Sequence, residues 1–445
     1  MNFTGFAQSA RSKTSSVRLT PLLVGLVVGM GCQAADRTPA SPAPGEAAEP
    51  PTGPSVPAEV HVKPAPPALP PPMGESPPAA GAMNCAPTTL TSGDAFASIW
   101  IGQYGEVWAV GPNGLVGRRT PGDAGTWSYC RLAAAEFVAV SGAASDDVWM
   151  IARPATIIHW TGVEFVAVTD TGAPIPGELQ DVFGRRLPSG KSVWIVGQGG
   201  VVRHFDGVAW HVADTGAEYD MRSVWVSPMG IVRATGNGVL PPPPPLGEPY
   251  HISVAIVFRS TDAGWIHEAE FPIVYGAASL NKISGDAEDE IWAVGVRHPA
   301  GAAAAFSLAV RFDGTSWAVA CDGVDAGVYL DVAVRPPFAP YGAVITGTAP
   351  PRVFDGIRWS RPTPLLGSVD VRGDAAWATT GGRGESATAA ILRWDGSAWQ
   401  VDNGVAAGDR DGDGIRDDLD FNSYTFDPDQ TPPHSYEMCQ LGEGA

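Results

Sequence analysis

The sequence predicts an all-β protein whose bulk is one seven-bladed β-propeller, with non-globular extensions at both ends. Three observations carry this. A strand ending of the form aromatic, Asp, Gly, two variable residues, aromatic recurs through the middle of the chain. The intervals between copies have the size of a four-stranded sheet. The composition, 54 glycines, 42 prolines and 15 tryptophans in 445 residues, suits short strands joined by tight turns and packed through large apolar groups. The formal net charge of −19, from 28 basic and 47 acidic side chains with no Lys/Arg run, argues against a nucleic-acid partner.

At the N-terminus Arg11, Lys13 and Arg18 precede an apolar run from Leu19 to Gly31, broken only by Thr20 and Pro21, which ends at Cys32. Basic, apolar, then small is the order of an export signal, and the run is short for a bilayer-spanning helix. Val28-Gly29-Met30-Gly31-Cys32 resembles a bacterial lipoprotein signal, departing from it at Gly29, where leucine is usual. The resemblance implies a signal peptide over residues 1–31, lipidation (palmitate) of Cys32, and a membrane partner through that anchor; ordinary secretion is the alternative. Gln33 stands where, in Gram-negative lipoproteins, aspartate is associated with inner-membrane retention, so the resemblance implies the outer membrane. Residues 32–84 then read as a Pro/Ala-rich disordered tether, with fifteen prolines between Pro39 and Pro78 and no apolar periodicity. At ~3.1 Å per residue such a stalk reaches up to about 150 Å.

Residues 85–402 are the predicted propeller. The clear repeat endings are Phe205-Asp206-Gly207 to Trp210, Phe312-Asp313-Gly314 to Trp317, Phe354-Asp355-Gly356 to Trp359 and Trp394-Asp395-Gly396 to Trp399; weaker ones end at Trp127, Phe165 and Trp265. The seven endings are 38 to 55 residues apart. Within a unit, strands such as Met221–Val226, Val107-Trp108-Ala109-Val110-Gly111 and Val201–Phe205 precede the Asp–Gly hairpin. A twisted four-stranded blade cannot bury both faces alone, so radial stacking is required and the tryptophans are expected between blades. A count of six or eight, or another all-β stack, are the alternatives. The Val/Ile-Trp-Ala-Val-Gly strand with its closing Trp resembles the tectonin repeat, whose members are lectin-like. Asp123-Ala124-Gly125-Thr126-Trp127 and Ser260–Trp265 resemble Asp-box repeats of sialidase-type propellers. Pro241–Pro245 lengthens the fourth unit and reads as a stiff surface loop, either a tolerated insertion or a partner-docking loop.

Residues 403–445 form an acidic tail. Asp409, Asp411, Asp413, Asp417 and Asp420 stand at the side-chain offsets of a calcium loop, with the Ile415 carbonyl as a further oxygen and Gly414 at the sharp turn. The run resembles the thrombospondin type 3 calcium repeat, departing after Asp420, where Phe421-Asn422 replaces the usual Asn-Cys-Pro. Ca2+ is the one cofactor expected, in a structural role.

Setting Cys32 aside, Cys85, Cys130, Cys321 and Cys439 allow two disulfides with three connectivities; proximity in the chain favours Cys85–Cys130 and Cys321–Cys439. The eight histidines show no zinc spacing, and His159 and His204 occupy equivalent repeat positions. Arg222, Glu106 and Asp181 are scattered candidates for a sialidase-like reaction that no spacing unites, so no catalytic residue is assigned. The expected function is a non-catalytic surface binding module, holding a glycan or protein on one mouth of the ring. A glycoside hydrolase and a purely structural envelope component are the alternatives.

Overall fold

The computed structural model describes residues 82–404 apart from 92, 122–124, 134, 214, 216–218, 241–251, 275, 336–341, 361–365, 381–389 and 397. The chain divides into units Met1–Pro70 and Pro71–Ala445, and every described residue belongs to the second. The described residues form seven antiparallel sheets and no helix. Their innermost strands are Ser98–Ile101, Glu136–Ala144, Leu179–Leu187, Asp220–Val226, Gly276–Ala287, Tyr329–Val334 and Leu366–Arg372. Each packs on the next around a ring, and the seventh returns to the first. In each blade the strand after the C-terminal hairpin starts at Trp127, Phe165, Trp210, Gly264, Trp317, Trp359 or Trp399, so the repeat endings mark the seven blades in order.

Two local rules of the sequence explain this regularity. The Asp–Gly turns hold because the carboxylate accepts the backbone N–H groups that the turn leaves unpaired. Asp206 Oδ1 accepts from Val208 and Ala209 (both 2.8 Å), and Asp355 Oδ1 accepts from Ile357 at 2.8 Å and Arg358 at 2.6 Å. The following glycines lie at φ of 99° and 102°, where a side chain would be strained. The tryptophan of the second strand supplies the other rule. Trp108 packs against Trp160 and Phe165, Trp149 against Phe205 and Trp210, Trp194 against Trp265, Trp292 against Phe354 and Trp359, and Trp377 against Trp127. Each indole therefore meets the terminal aromatic of the next blade, as expected of inter-blade packing groups, and each such pair is worth ~1 kcal/mol beyond its buried area. On its own blade the indole is covered by a cation or imidazole from the third strand: Arg118 over Trp108 (4.9 Å), His159 on Trp149 (4.0 Å) and His204 on Trp194 (4.1 Å). The two histidines are thus parts of the repeat.

Blades four and six break the rule; in blade six the position is Val344. In blade four it is Arg233, 4% exposed, which donates to Glu268 at 2.7 and 3.0 Å and lies 5.0 Å over Phe312 of blade five. Glu268 also accepts from Trp317 Nε1 (3.1 Å), so an ion pair and an indole tie together what an aromatic pair joins elsewhere.

Among the described residues no strand is exchanged between the last blade and the first. Closure runs through side chains: Ile99 N donates to Ser368 Oγ (3.2 Å), Ile101 N to Asp370 Oδ2 (2.7 Å), and Asp402 accepts from Arg119 Nε (3.0 Å) and Trp127 Nε1 (2.6 Å). Outside blades two and one, Ala82–Met83 and Ala86–Thr88 add a fifth strand to each, covering two otherwise open sheet edges. The Cys85–Cys130 disulfide, Cα–Cα 5.3 Å, pins this strap to the outer strand of blade one. Cys321 is also disulfide-bonded; Cys439 lies outside the described residues, as do Pro241–Pro245. The strands on either side of that segment are paired as far as Leu240 and Ile252.

Candidate functional site

The inner strands carry both the closure and the candidate site. In blades three to six, Leu179, Met221, Leu280 and Tyr329 oppose Gly197, Gly236, Gly295 and Gly347, and a one-residue bulge follows. A Cβ on any of these glycines would stand 1.9 to 2.4 Å from a carbonyl oxygen of the inner strand. The glycine ending the Val-Trp-Ala-Val-Gly strand is therefore imposed by close backbone approach.

After the bulge come Asp181, Ser223, Lys282 and Asp331; Ser98 and Ser368 hold the matching positions in blades one and seven. Their side chains form a belt around the channel. Asp181 Oδ2 accepts from Ser223 Oγ (2.5 Å) and Val224 N (3.2 Å), and Ser223 Oγ accepts from Ile283 N (3.2 Å). Asp331 Oδ2 accepts from Ser368 Oγ (2.7 Å) and Val369 N (3.1 Å), Ser368 from Ile99 N, and Ser98 Oγ from Val140 N (3.2 Å). In these blades a side chain satisfies a backbone N–H of the next one round. Lys282, which cannot accept, donates instead to both oxygens of Asp181 at 2.9 and 3.0 Å. Burial opposes its charge, yet Asp181, Asp331 and Asp370 together hold it above the ordinary lysine range. Burial, only partly offset by Lys282, raises the Asp331 carboxyl.

On either side of the belt the channel widens. One chamber, 390 Å3, holds Asp181, Arg222, Lys282 and Asp331. The other, 760 Å3, opens at the ends of the innermost strands and takes residues from all seven blades. Its floor holds Trp100, Phe183, Trp225 and Asp370, and its rim Arg185, Arg186, Arg335, Arg372, Asp286 and Asp374. Four guanidiniums at one mouth are exceptional in so acidic a chain. Arg335 pairs with Asp286 at 2.7 Å and sits at φ 52°, a left-handed conformation rare outside glycine. Arg372 donates to Ile101 O (3.2 Å). Arg185 and Arg186 form no ion pair among the described residues; burial first, then repulsion from Arg372, disfavours the Arg185 charge. Burial pushes the Asp370 carboxyl up to about 7, against the N–H donors of Ile101 and Val371. A smaller groove of 560 Å3 at blades one and two shares Gln103 and Arg186 with this mouth and adds Tyr104 and Arg118.

The three scattered candidates do not converge. Asp181 and Arg222 share the smaller chamber, where Arg222 donates to Asn237 Oδ1 (3.2 Å) and Asp181 belongs to the belt. Glu106, 1% exposed, accepts from Tyr104 N (3.1 Å) within blade one. Cys32 and the calcium-loop residues Asp409, Asp411, Asp413, Ile415, Asp417 and Asp420 lie outside the described residues. Among the described residues no cluster of three or more His, Cys, Asp or Glu is placed to hold a metal. The aromatics on the floor of the larger chamber are covered: Trp100 is 8% and Trp225 1% exposed, and Arg185 lies over Phe183 (5.6 Å).

No family model and no curated protein matches the chain. Among solved structures it is similar to YCF48 bound to a D1 peptide, at 15% identity over 67% of this chain and 94% of that one, TM-score 0.43. It is also similar to YCF48 from Cyanidioschyzon merolae (18%, 67% and 95%, TM-score 0.40) and to Saccharomyces cerevisiae Sqt1 (8%, 73% and 88%, TM-score 0.42). At these identities the likeness concerns the fold alone.

Proposed function

We propose that this chain is a non-catalytic binding module, held at the cell envelope by an acyl anchor on Cys32 and presenting the arginine-lined mouth to a macromolecular partner. The observation that carries the binding reading is that cavity of 760 Å3, bounded by all seven blades, where two arginines form no ion pair among the described residues. The anchor rests on the order of residues ending at Cys32, and the outer membrane on Gln33. A structural calcium ion on the tail from Asp409 to Asp420 completes the reading.

Two measurements test it in the full chain. Metabolic acyl labelling should mark the protein, and Cys32→Ala should abolish the label and release the protein from membranes; unchanged labelling refutes the anchor. A photo-crosslinker at Gln103 should yield a specific adduct in intact cells, and one at Leu330, in the opposite chamber, should not. Equal labelling from both positions refutes the mouth as the binding face.

A second reading, a glycoside hydrolase, is favoured by one observation. Asp370, raised to about 7, shares the mouth with Asp286 and Asp374, which is the kind of pairing an acid and a base require. Against it, Asp370 is committed to the Ile101 and Val371 N–H groups and Asp286 to Arg335. Turnover of chromogenic glycosides that disappears in Asp370→Asn would establish the second reading over the first.

A further inference from the structure

Resting on the reading of the mouth as the binding face, we infer that its ligand is an extended acidic peptide segment whose carboxylates are taken by Arg185, Arg186 and Arg372. Charge comes first. The chain carries a net −19, yet four guanidiniums line this cavity, and the carboxylates on its wall are largely spoken for. Asp286 is paired with Arg335 at 2.7 Å, and Asp370 already accepts two backbone N–H groups. Arg185 rests on the Phe183 ring but has no carboxylate of its own: it is partly buried, Arg372 repels it, and Asp286 and Glu288 compensate only by longer-range attraction. An arginine kept in such a place is stabilised by an anion arriving from outside.

The shape and lining of the cavity narrow the anion to a peptide. Carbohydrate recognition within a ring mouth draws on open aromatic faces beside the charged groups, and on the floor of this one Trp100 and Trp225 are 8% and 1% exposed while Phe183 is covered by Arg185. The mouth also does not end at the ring. Gln103 and Arg186 belong both to it and to the groove of 560 Å3 at blades one and two, where Tyr104 is 70% exposed. A track running from a guanidinium cluster past an amide to an open phenol offers alternating ionic, hydrogen-bonding and apolar contacts. That order fits an extended chain with acidic residues at one end and an apolar residue at the other. Arginine, with a planar fork, reads carboxylates bidentately in a way lysine does not.

The test uses fluorescence anisotropy on the full chain with a labelled Glu/Gly peptide ending in Tyr, and a Gln/Gly counterpart as the neutral probe. The Glu peptide is expected to bind and to weaken steeply with added salt, and the Gln peptide to bind at least tenfold more weakly. Arg186→Ala, at an exposed position, and Arg185→Ala should each weaken the Glu peptide about tenfold or more, and Arg186→Lys severalfold despite its retained charge. Unchanged unfolding midpoints keep the variants comparable. Equal affinity for the Glu and Gln peptides, indifference to both alanine variants, or tighter arginine-dependent binding of a uronate or sialyl oligosaccharide would overturn the inference. A Gln103 crosslink that persists while the Glu peptide fails to bind sinks this inference and leaves the mouth as the binding face; loss of the crosslink as well sinks both.

Discussion

Asp370 offers a sharp test of how the channel is built. Its carboxylate accepts the Ile101 N–H at 2.7 Å across the closing interface, so it is part of what joins blade seven to blade one. Burial nevertheless drives its pKa from 3.8 up to about 7, with Asp331 adding repulsion and Arg372 relieving some of it. The unfolded chain gives up this proton near pH 4 and the folded protein holds it until about pH 7, so in that window the folded state binds more protons. Unfolding free energy must fall as pH rises from 4 to 7, and the contribution is level above that. At ~1.36 kcal/mol per pK unit the penalty is ~1.5 kcal/mol at pH 5 and at most ~4 kcal/mol at pH 8. Asp370→Asn keeps an oxygen for the Ile101 N–H and removes the charge. The variant should gain on the wild type by ~2 to 3 kcal/mol between pH 5 and pH 8, measured by urea unfolding of the disulfide-intact protein at both pH values. A wild-type-minus-variant difference that is the same at the two pH values would refute the argument, whatever its sign.

Three further outcomes follow from the same geometry. Asp402→Ala removes one partner of the buried Arg119 together with the acceptor of Trp127 and should cost ~2 to 3 kcal/mol in equilibrium unfolding, whereas Asp402→Asn, which still accepts from Trp127, should lose less; an Asp402→Asn variant as stable as the wild type would show that the ion pair carries no weight. Cys85→Ser with Cys130→Ser should raise amide exchange in Ala82–Thr88 and Trp127–Arg131 while the other blades keep their protection, and uniform exchange across the ring would count against a local strap. Calorimetric titration of the chelated protein should show one calcium ion that Asp411→Ala with Asp413→Ala abolishes and that magnesium replaces poorly; equal heats in both proteins would remove the tail as the site.

The blades were legible in the sequence because their endings are set by local chemistry. In the clear copies an Asp caps its own turn, a Gly follows at positive φ, and an aromatic closes the string, in most blades meeting the indole of the preceding one, so the ending appears as one short string. Cys85–Cys130 was legible for the same reason, since the two residues flank one blade. The belt and the mouth were not, because each blade contributes only a few members, two residues apart on its inner strand, and the residue types at those positions differ from blade to blade. Arg233 was missed because it replaces the repeat's tryptophan; its partners Glu268 and Phe312 belong to outer strands further along the chain.

A register rule nonetheless connects the two, and it separates what the fold requires from what it leaves open. Counting from the belt residues Ser98, Ala139, Asp181, Ser223, Lys282, Asp331 and Ser368, the positions two residues on are Trp100, Ser141, Phe183, Trp225, Ser284, Ala333 and Asp370. All seven line the larger chamber, as the two-residue period of a strand demands. Four residues on stand Arg185, Asp286, Arg335 and Arg372 at its rim. The belt is constrained, since most of its members satisfy a neighbour's backbone N–H, and replacing one exposes a buried donor. At the rim Arg335 pairs with Asp286 between blades six and five and Arg372 donates to Ile101 O, whereas Arg185 and Arg186 form no ion pair among the described residues and are not explained by the ring. Under the proposed binding role, side chains that the architecture does not require, gathered on one mouth and carrying the sign opposite to the whole chain, are where a ligand would be held.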